Sequence, residues 1–496
     1  MDGIDRNMIR GSCAKWLIMA VPLLLAGCGP SYVPHPDVAV PARFTANTQG
    51  QAPAADDAGL DRWWTLFGDT QLVSLETEAL AHAPDARSAL AVLDEARATR
   101  EAALVKWNPQ GNLSGSVSRG QTIISGMAAG AGSYSYSSLG TSTSPATTSS
   151  GSFSPTWELD LFERRGAARQ AADADLVTAT FTYHAALQSL TGQVAADLFE
   201  ARGIALQLAE ARDNLRVARE LAEIGQRKAS AGIGANVDAD SLAADSATAQ
   251  ANVTQLEAQL AVSRQTLLVL LGRGTASPDS LPVDGQLGAP PAVPDVAPAT
   301  LLARRPDIVQ ADARLRSAMG TLRLDRLALL PTFNLQPSGS ISTISGLAGY
   351  TTSLWSVGVG LAMPVFDRAR LLAQVRGQRA RAEQAAIAYE KAVQTGYGEA
   401  QNQLATYAAD RARLVLLVEA EARFHRAFDA QNAGYRAGVV DLTTLLTAER
   451  SWRSARTSLS ALRATTLTDA VNVFRALGGG WTPLGQSQTQ TTDTRP

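Results

Sequence analysis

The chain has 496 residues, with 44 Lys and Arg against 46 Asp and Glu, a net charge of −2. That balance gives no electrostatic footprint for a nucleic acid. Apolar residues make up 45% but aromatics only 6%; much of the rest is alanine, which favours thin, closely packed helices over one thick globular core, although the length allows two or three ordinary domains.

The first element is a secretion signal. Arg6, Arg10 and Lys15 precede an apolar run from Trp16 to Ala26, closed by Leu25-Ala26-Gly27-Cys28; a basic start, an apolar middle and small residues at the cut define such a segment. The run falls short of the about 20 apolar residues of a comfortable membrane span. A Cys directly after Leu-Ala-Gly resembles a lipoprotein signal, in which the Cys28 thiol is acylated and becomes the mature N-terminus. A soluble-secretion signal with a chance Cys, or a short anchor, is the plainer alternative. On the lipoprotein reading, residues 1–27 are the signal and 28–59 an acylated extension. Gly29, rather than Asp, after the Cys implies the outer membrane by the same resemblance. Cys13 leaves with the signal, so the mature chain has no cysteine pair for a disulfide or a Cys-based metal site. No later stretch is long and apolar enough for a membrane helix; any membrane entry is by strands or by lipid.

The rest of the chain is one plan written twice. The first copy spans 60–274 and the second 301–481, joined by a Pro-rich linker, 275–300, with Pro290, Pro291, Pro294 and Pro298, which reads as an extended spacer. Residues 482–496 read as a disordered tail. Each copy opens with a helix, Thr70–Lys106 and Pro306–Leu330, ended near Pro109 and Pro331. Two strand-like stretches come next, then a very long helix, a glycine turn and a second long helix.

Four stretches alternate with period two: Asn112–Ser118, Ser152–Leu161, Thr332–Ser342 and Trp355–Met363. In the last, Trp355, Val357, Val359, Leu361 and Met363 oppose Ser356, Gly358, Gly360 and Ala362. Such alternation sets one face toward an apolar medium and the other toward a polar one. The length suits tilted strands of a membrane barrel, and the small polar face suits a water-filled lumen; a soluble sheet resting on helices would alternate in the same way. Pro155 and Pro337 each remove a ladder donor. The Ser/Gly/Thr-rich segment 121–150 between the first two strands reads as an external loop. A spanning sheet must close on itself, and four strands are fewer than the about eight of the smallest outer-membrane barrels. Identical copies must therefore share the barrel: two give eight strands, three give twelve. An even strand count returns the chain to its starting side, which places both helical regions with Cys28.

The first long helix runs from about Glu163 to Lys228, roughly 100 Å at 1.5 Å per residue. Its stripe of Leu187, Leu190, Val194, Leu198, Ala201, Ala205, Leu208, Ala211, Leu215, Ala218 and Ala222 has nearly the coiled-coil period. Gly192 and Gly203 are expected to loosen it locally. The segment 369–433 repeats the design. Helices this long need neighbours from this and sister chains; continuous with a barrel, they enclose a tube. A lipid-anchored coiled-coil scaffold without a pore explains the helices but not the strands. At the turns, Gly232, Ile233, Gly234, Val237 and Asp238 correspond to Gly438, Val439, Val440 and Asp441. Glycine supplies a positive-φ helix stop, and Asp favours the next N-terminus.

Together these landmarks resemble the outer-membrane factor family of TolC-like exit ducts, in its NodT-like lipoprotein efflux branch. The resemblance rests on Trp157-Glu158-Leu159-Asp160-Leu161-Phe162, Leu301-Leu302-Ala303-Arg304-Arg305-Pro306-Asp307-Ile308, Pro364-Val365-Phe366-Asp367 and Leu477-Gly478-Gly479-Gly480-Trp481, in that order. It implies a homotrimer with a twelve-stranded barrel and a periplasmic helical barrel. It also implies a passive duct in a tripartite pump, with a periplasmic adaptor and an inner-membrane transporter of the resistance–nodulation–division type. Type I protein export is the alternative within the same fold. The turns then match the adaptor-docking tips, and Tyr435, Arg436, Asp441, Thr447 and Glu449 are candidate gate residues, with Arg227 and Lys228 nearby. The chain departs from the pattern at Thr447, where relatives often carry Asp, so an Asp-ring gate does not transfer. Asp441 and Glu449 also suit a helix end or a solvated face. A second departure is Glu163, where relatives usually have Gly; it falls where strand passes into helix. For catalysis the sequence offers no pattern: His35, His82, His184 and His425 are scattered, HExxH, GxSxG and phosphate-loop motifs are lacking, and no cofactor or metal is expected.

Overall fold

A computed structural model describes residues 35–45, 57–124, 142–293, 298–345 and 349–481. The signal, Cys28 and the 482–496 tail lie outside these. The major elements are α1 (Thr70–His82), α2 (Pro84–Val105), β1 (Gln110–Ile124), β2 (Ser142–Leu159), α3 (Arg164–Ser230) and α4 (Asn236–Leu270), followed by α5 (Pro306–Leu327), β3 (Thr332–Ser345), β4 (Tyr350–Ala362), α6 (Arg368–Arg436) and α7 (Leu442–Ala476). The order helix, two strands, long helix, second helix occurs twice.

Three expectations need correcting. The single helix over Thr70–Lys106 is two helices: Ala83 turns to ψ 132°, because a residue before proline is pushed out of the α region. The loop expected over 121–150 is shorter, since β1 continues to Ile124 and β2 begins at Ser142; the two strands stay in register as far as Ile124 and Ser142. Gly192 and Gly203 do not loosen α3. A methyl at Gly192 would strike the Arg475 side chain, and one at Gly203 would come within 2.7 Å of Ala464 Cβ, so both glycines let α7 approach α3 closely.

The core lies where α1, α3, α6 and α7 meet the segment 60–67. Trp63 is fully buried, stacked on Phe474 at 5.7 Å and 9°, and Phe67 packs on Phe199 at 5.2 Å. The Arg304-Arg305 motif braces this core. Arg304 pairs with Asp61 and its carbonyl accepts from the Trp481 indole at 3.1 Å. Arg305 holds Asp307 at 3.0 and 2.7 Å, Glu399 at 2.7 Å and the carbonyls of Gly396 and Ala476 at 3.3 and 3.2 Å. The Gly478–Gly480 run ends α7 with Gly478 at φ +79°, where a side chain would meet the Arg304 backbone.

The described part of the 275–300 linker is held against the helices rather than free. Leu281 and Val283 are buried, and the Tyr407 hydroxyl donates to the Pro291 carbonyl at 2.6 Å. Residues 35–45 also lie along α6: His35 meets Asp312 at 2.9 Å and Tyr389, Phe44 stacks on Tyr397, and the Thr45 amide reaches Gln401.

Smaller clusters fasten the long helices. The expected stripe residues Leu208, Ala211, Leu215 and Ala218 pack against Ala249, Val253, Leu256 and Leu260 of α4. Farther out, Leu221, Leu242, Phe428 and Leu445 join both hairpins.

Candidate functional site: the channel wall and the helix tips

The four strands form one antiparallel sheet in the order β1-β2-β3-β4. Register makes alternation a property of the whole sheet. Leu113 pairs with Phe153, Phe153 with Gly339 and Gly339 with Trp355; Trp157 pairs with Leu335 and Leu335 with Val359. Paired residues share a face, so every odd-numbered apolar side chain points the same way. Among the described residues nothing buries this face: Leu113 is 83% and Trp355 82% exposed. The even face carries hydroxyls bonded across the strands, Ser114 to Ser152 at 2.7 Å, Ser116 to Ser150 at 2.8 Å and Ser338 to Ser356 at 2.7 Å. β1 and β4 are both unpaired edges.

The two prolines act where the sequence placed them. In the β2–β3 register Pro155 stands opposite Pro337, and the ladder is interrupted between Phe153–Gly339 and Trp157–Leu335. Both prolines keep their pairing with the outer strands.

Strand passes into helix through Trp157–Phe162. The Asp160 carboxylate accepts from the Arg164 and Arg165 amides at 2.6 and 3.1 Å, and Arg164 pairs with Glu158 at 2.7 Å. Glu163 takes φ +58°, the sole positive φ outside glycine among the described residues, and meets Arg323 of α5 at 2.5 Å. At the corresponding junction after β4, Phe366 is wholly exposed.

At the far end lie the two tips. Gly232 and Gly438 have φ +72° and +79°, and each is followed by an exposed branched residue, Ile233 and Val439; Val237 is exposed too. Gly234 lies against Lys228, and Val440 against Gly434. Asp238 stands in the first turn of α4. Asp441 caps α7, accepting from the Thr444 amide at 2.7 Å and its hydroxyl at 3.1 Å; these bonds hold its carboxyl below its ordinary range. The Lys228 ammonium sits 4.4 Å above the Tyr435 ring, tying one tip to the other. Arg227 pairs with Glu223, and Arg436 is exposed with no ion-pair partner among the described residues. Thr447 is exposed and its hydroxyl donates to Thr443 O.

Glu449 is at neither a helix end nor a solvated face. It is 2% exposed and pairs with Arg453, which also meets Asp245 of α4 at 3.2 Å. Burial pushes its carboxyl up, against the pull of Arg453. Arg453 and Asp245 stand far apart in the chain, and only the meeting of the two hairpins joins them. The structure thus brings Lys228 and Tyr435 together and keeps Glu449 apart, inside the hairpin packing.

The chain matches the family described as outer membrane efflux protein over residues 75–273 and 297–479. It belongs to that family. It is similar to the pyoverdine export outer membrane protein OpmQ of Pseudomonas aeruginosa, 26% identical over 467 residues, with 94% of this chain and 96% of the relative covered. It is similar also to Nodulation protein T of Rhizobium leguminosarum bv. trifolii, 26% identical with 94% and 97% covered. Among solved structures, the outer-membrane channel OprN aligns with a TM-score of 0.77 at 28% identity, covering 92% of this chain and all of that one. As a member of the outer membrane efflux protein family, the chain is an outer-membrane efflux channel. Its strands are its share of a membrane barrel, continued by helices into the periplasm.

Proposed function

We propose that three copies close a twelve-stranded barrel and a helical tunnel, and that this homotrimer is the passive exit duct of a tripartite pump for small toxic molecules. The observation that carries the reading is the sheet itself: four strands, one face apolar in register, the other mostly small and polar with Ser and Thr, both edges open. Open edges have no place in hydrocarbon, and no helix among the described residues is long and apolar enough to cross a membrane.

The segments 60–274 and 301–481 serve as two repeats of each protomer's wall. The tips, with Ile233, Val237 and Val439 outward, receive a periplasmic adaptor linked to an inner-membrane transporter of the resistance–nodulation–division type. The gate lies near Tyr435, Arg436, Asp441 and Thr447, without a free Glu449. Cys28 carries lipid, a reading supported by the Leu25-Ala26-Gly27-Cys28 pattern.

The test is the mature protein in detergent. A trimer by native mass spectrometry that conducts ions in a planar bilayer supports the duct; a monomer soluble without detergent or lipid overturns it. Replacing Gly232 and Gly438 by leucine should leave trimers intact and abolish efflux, and unchanged drug susceptibility would remove the docking role from the tips.

A further inference from the structure

Two charged side chains occur in the described strands, Glu158 and Arg119. Glu158 lies on the even, hydroxyl-bearing face and is paired with Arg164. Arg119 lies on the odd, apolar face, in register with Thr147 and, through it, Ser345. It is exposed and has no ion-pair partner among the described residues. From Leu159 at the helix end of the sheet to Thr147 is 12 residues of β2, about 40 Å along the strand and roughly 30 Å along the membrane normal at the usual barrel tilt. That is the thickness of the hydrocarbon. Arg119 therefore stands at the outer edge of the apolar band.

Just inward is a shallow, mostly carbon-lined groove of about 310 Å³ between β1, β2 and β3, with Gly115, Val117, Gly151 and Ile341 in its wall. Gly115 and Gly151 pair in register. Neither needs to be glycine for the chain's own sake. Both lack a positive φ, and an added methyl would be 3.9 Å from Ser150 O and 3.6 Å from Ile341 Cγ2, ordinary contacts. The missing side chains leave room for something outside the chain.

We propose that Arg119 and this groove bind a phosphorylated lipid of the outer leaflet, the guanidinium on the phosphate and one acyl chain along Gly115 and Gly151. A guanidinium matches phosphate geometry, and a cation at the headgroup level can reach it while its stem lies on apolar surface. The proposal rests on the reading that the odd face meets lipid.

The test is native mass spectrometry of the full trimer titrated with bis-phosphorylated lipid A, dephosphorylated lipid A and phosphatidylcholine, with conductance recorded on the same preparations. Wild type should hold the phosphorylated lipid preferentially. Arg119→Gln should weaken it about tenfold, the worth of one charge-assisted bond, Arg119→Lys should keep most of it, and Gly151→Leu should weaken all lipids by filling the groove. Equal retention by Arg119→Gln, or no preference for the phosphate, in a protein that still conducts would overturn the lipid site and leave the barrel standing. A protein that does not enter bilayers would overturn both.

Discussion

The helical body and the strand sheet solve the same problem in opposite ways. The body turns its large side chains inward, around Trp63, Phe199 and Phe474, and holds buried Arg304 and Arg305 in ion pairs. The sheet turns Leu113, Trp355 and Val357 outward and leaves both edges open. One has its apolar medium inside the chain; the other needs lipid and sister chains to supply it. Damage to the body should therefore act on the protomer, and damage to the sheet should act on insertion and assembly.

The largest effect is expected in the body. Arg305→Ala leaves two carbonyls without their donor, at about 2–5 kcal/mol together, while the half-exposed Asp307 and Glu399 carboxylates turn to solvent and add little. Protease resistance of the helical region should be lost even in detergent. A variant that stays resistant would show that the body, like the sheet, leans on its neighbours. The next effect tests the sheet. Val357→Arg puts a charge on the odd face, at a cost of about 2–4 kcal/mol near the bilayer midplane, whereas Ser356→Arg, one residue away on the even face, should be nearly neutral for folding and alter conductance. Equal stability losses for the two, measured by denaturant titration in lipid bilayers, would break the assignment of faces.

How far each region was legible depends on the same contrast. The sheet's two faces were readable because its surroundings are uniform media, so period two survives in Trp355–Met363 without any partner being known. The outer ends of β1 and β2 were not, since the Ser- and Thr-rich stretch there carries no apolar alternation. In the body, the Leu208–Ala218 stripe was legible as a coiled-coil period. The Arg305–Glu399 and Arg453–Asp245 pairs were not, because the partners are remote in sequence and only helix packing joins them. For the same reason the sequence offers Glu449 as a gate residue or a solvated charge, while the packing buries it.

A pH ramp separates the regions further. Burial first, then the neighbouring Asp410 carboxylate, push Asp469 of α7 up to about 6, against about 3.9 for an unfolded aspartate. The native state then binds the proton more tightly, so this contribution to stability is full below about pH 4 and is lost as pH rises through about 6. Asp469→Asn should flatten that part of the melting-temperature profile between pH 4 and 7. An unchanged profile would mean that the pair is open to solvent and screened. The described strands contain no comparable buried acid, so the slope belongs to the body.

The smallest effect probes the joint between the two regions. Glu163 holds a left-handed backbone that costs a non-glycine residue about 1–2 kcal/mol, and its surface-exposed ion pair with Arg323 returns at most about 1 kcal/mol. Glu163→Gly should therefore stabilise the protomer slightly, by up to about 1 kcal/mol, since glycine removes the strain but adds chain entropy. Arg323→Ala should destabilise it by no more than about 1 kcal/mol, and the double variant should resemble Glu163→Gly alone. If Glu163→Gly instead lowers the melting temperature, the Arg323 contact outweighs the strain. The strand-to-helix bend is then held by α5 rather than by its own backbone, and body and sheet are less separable than their packing suggests.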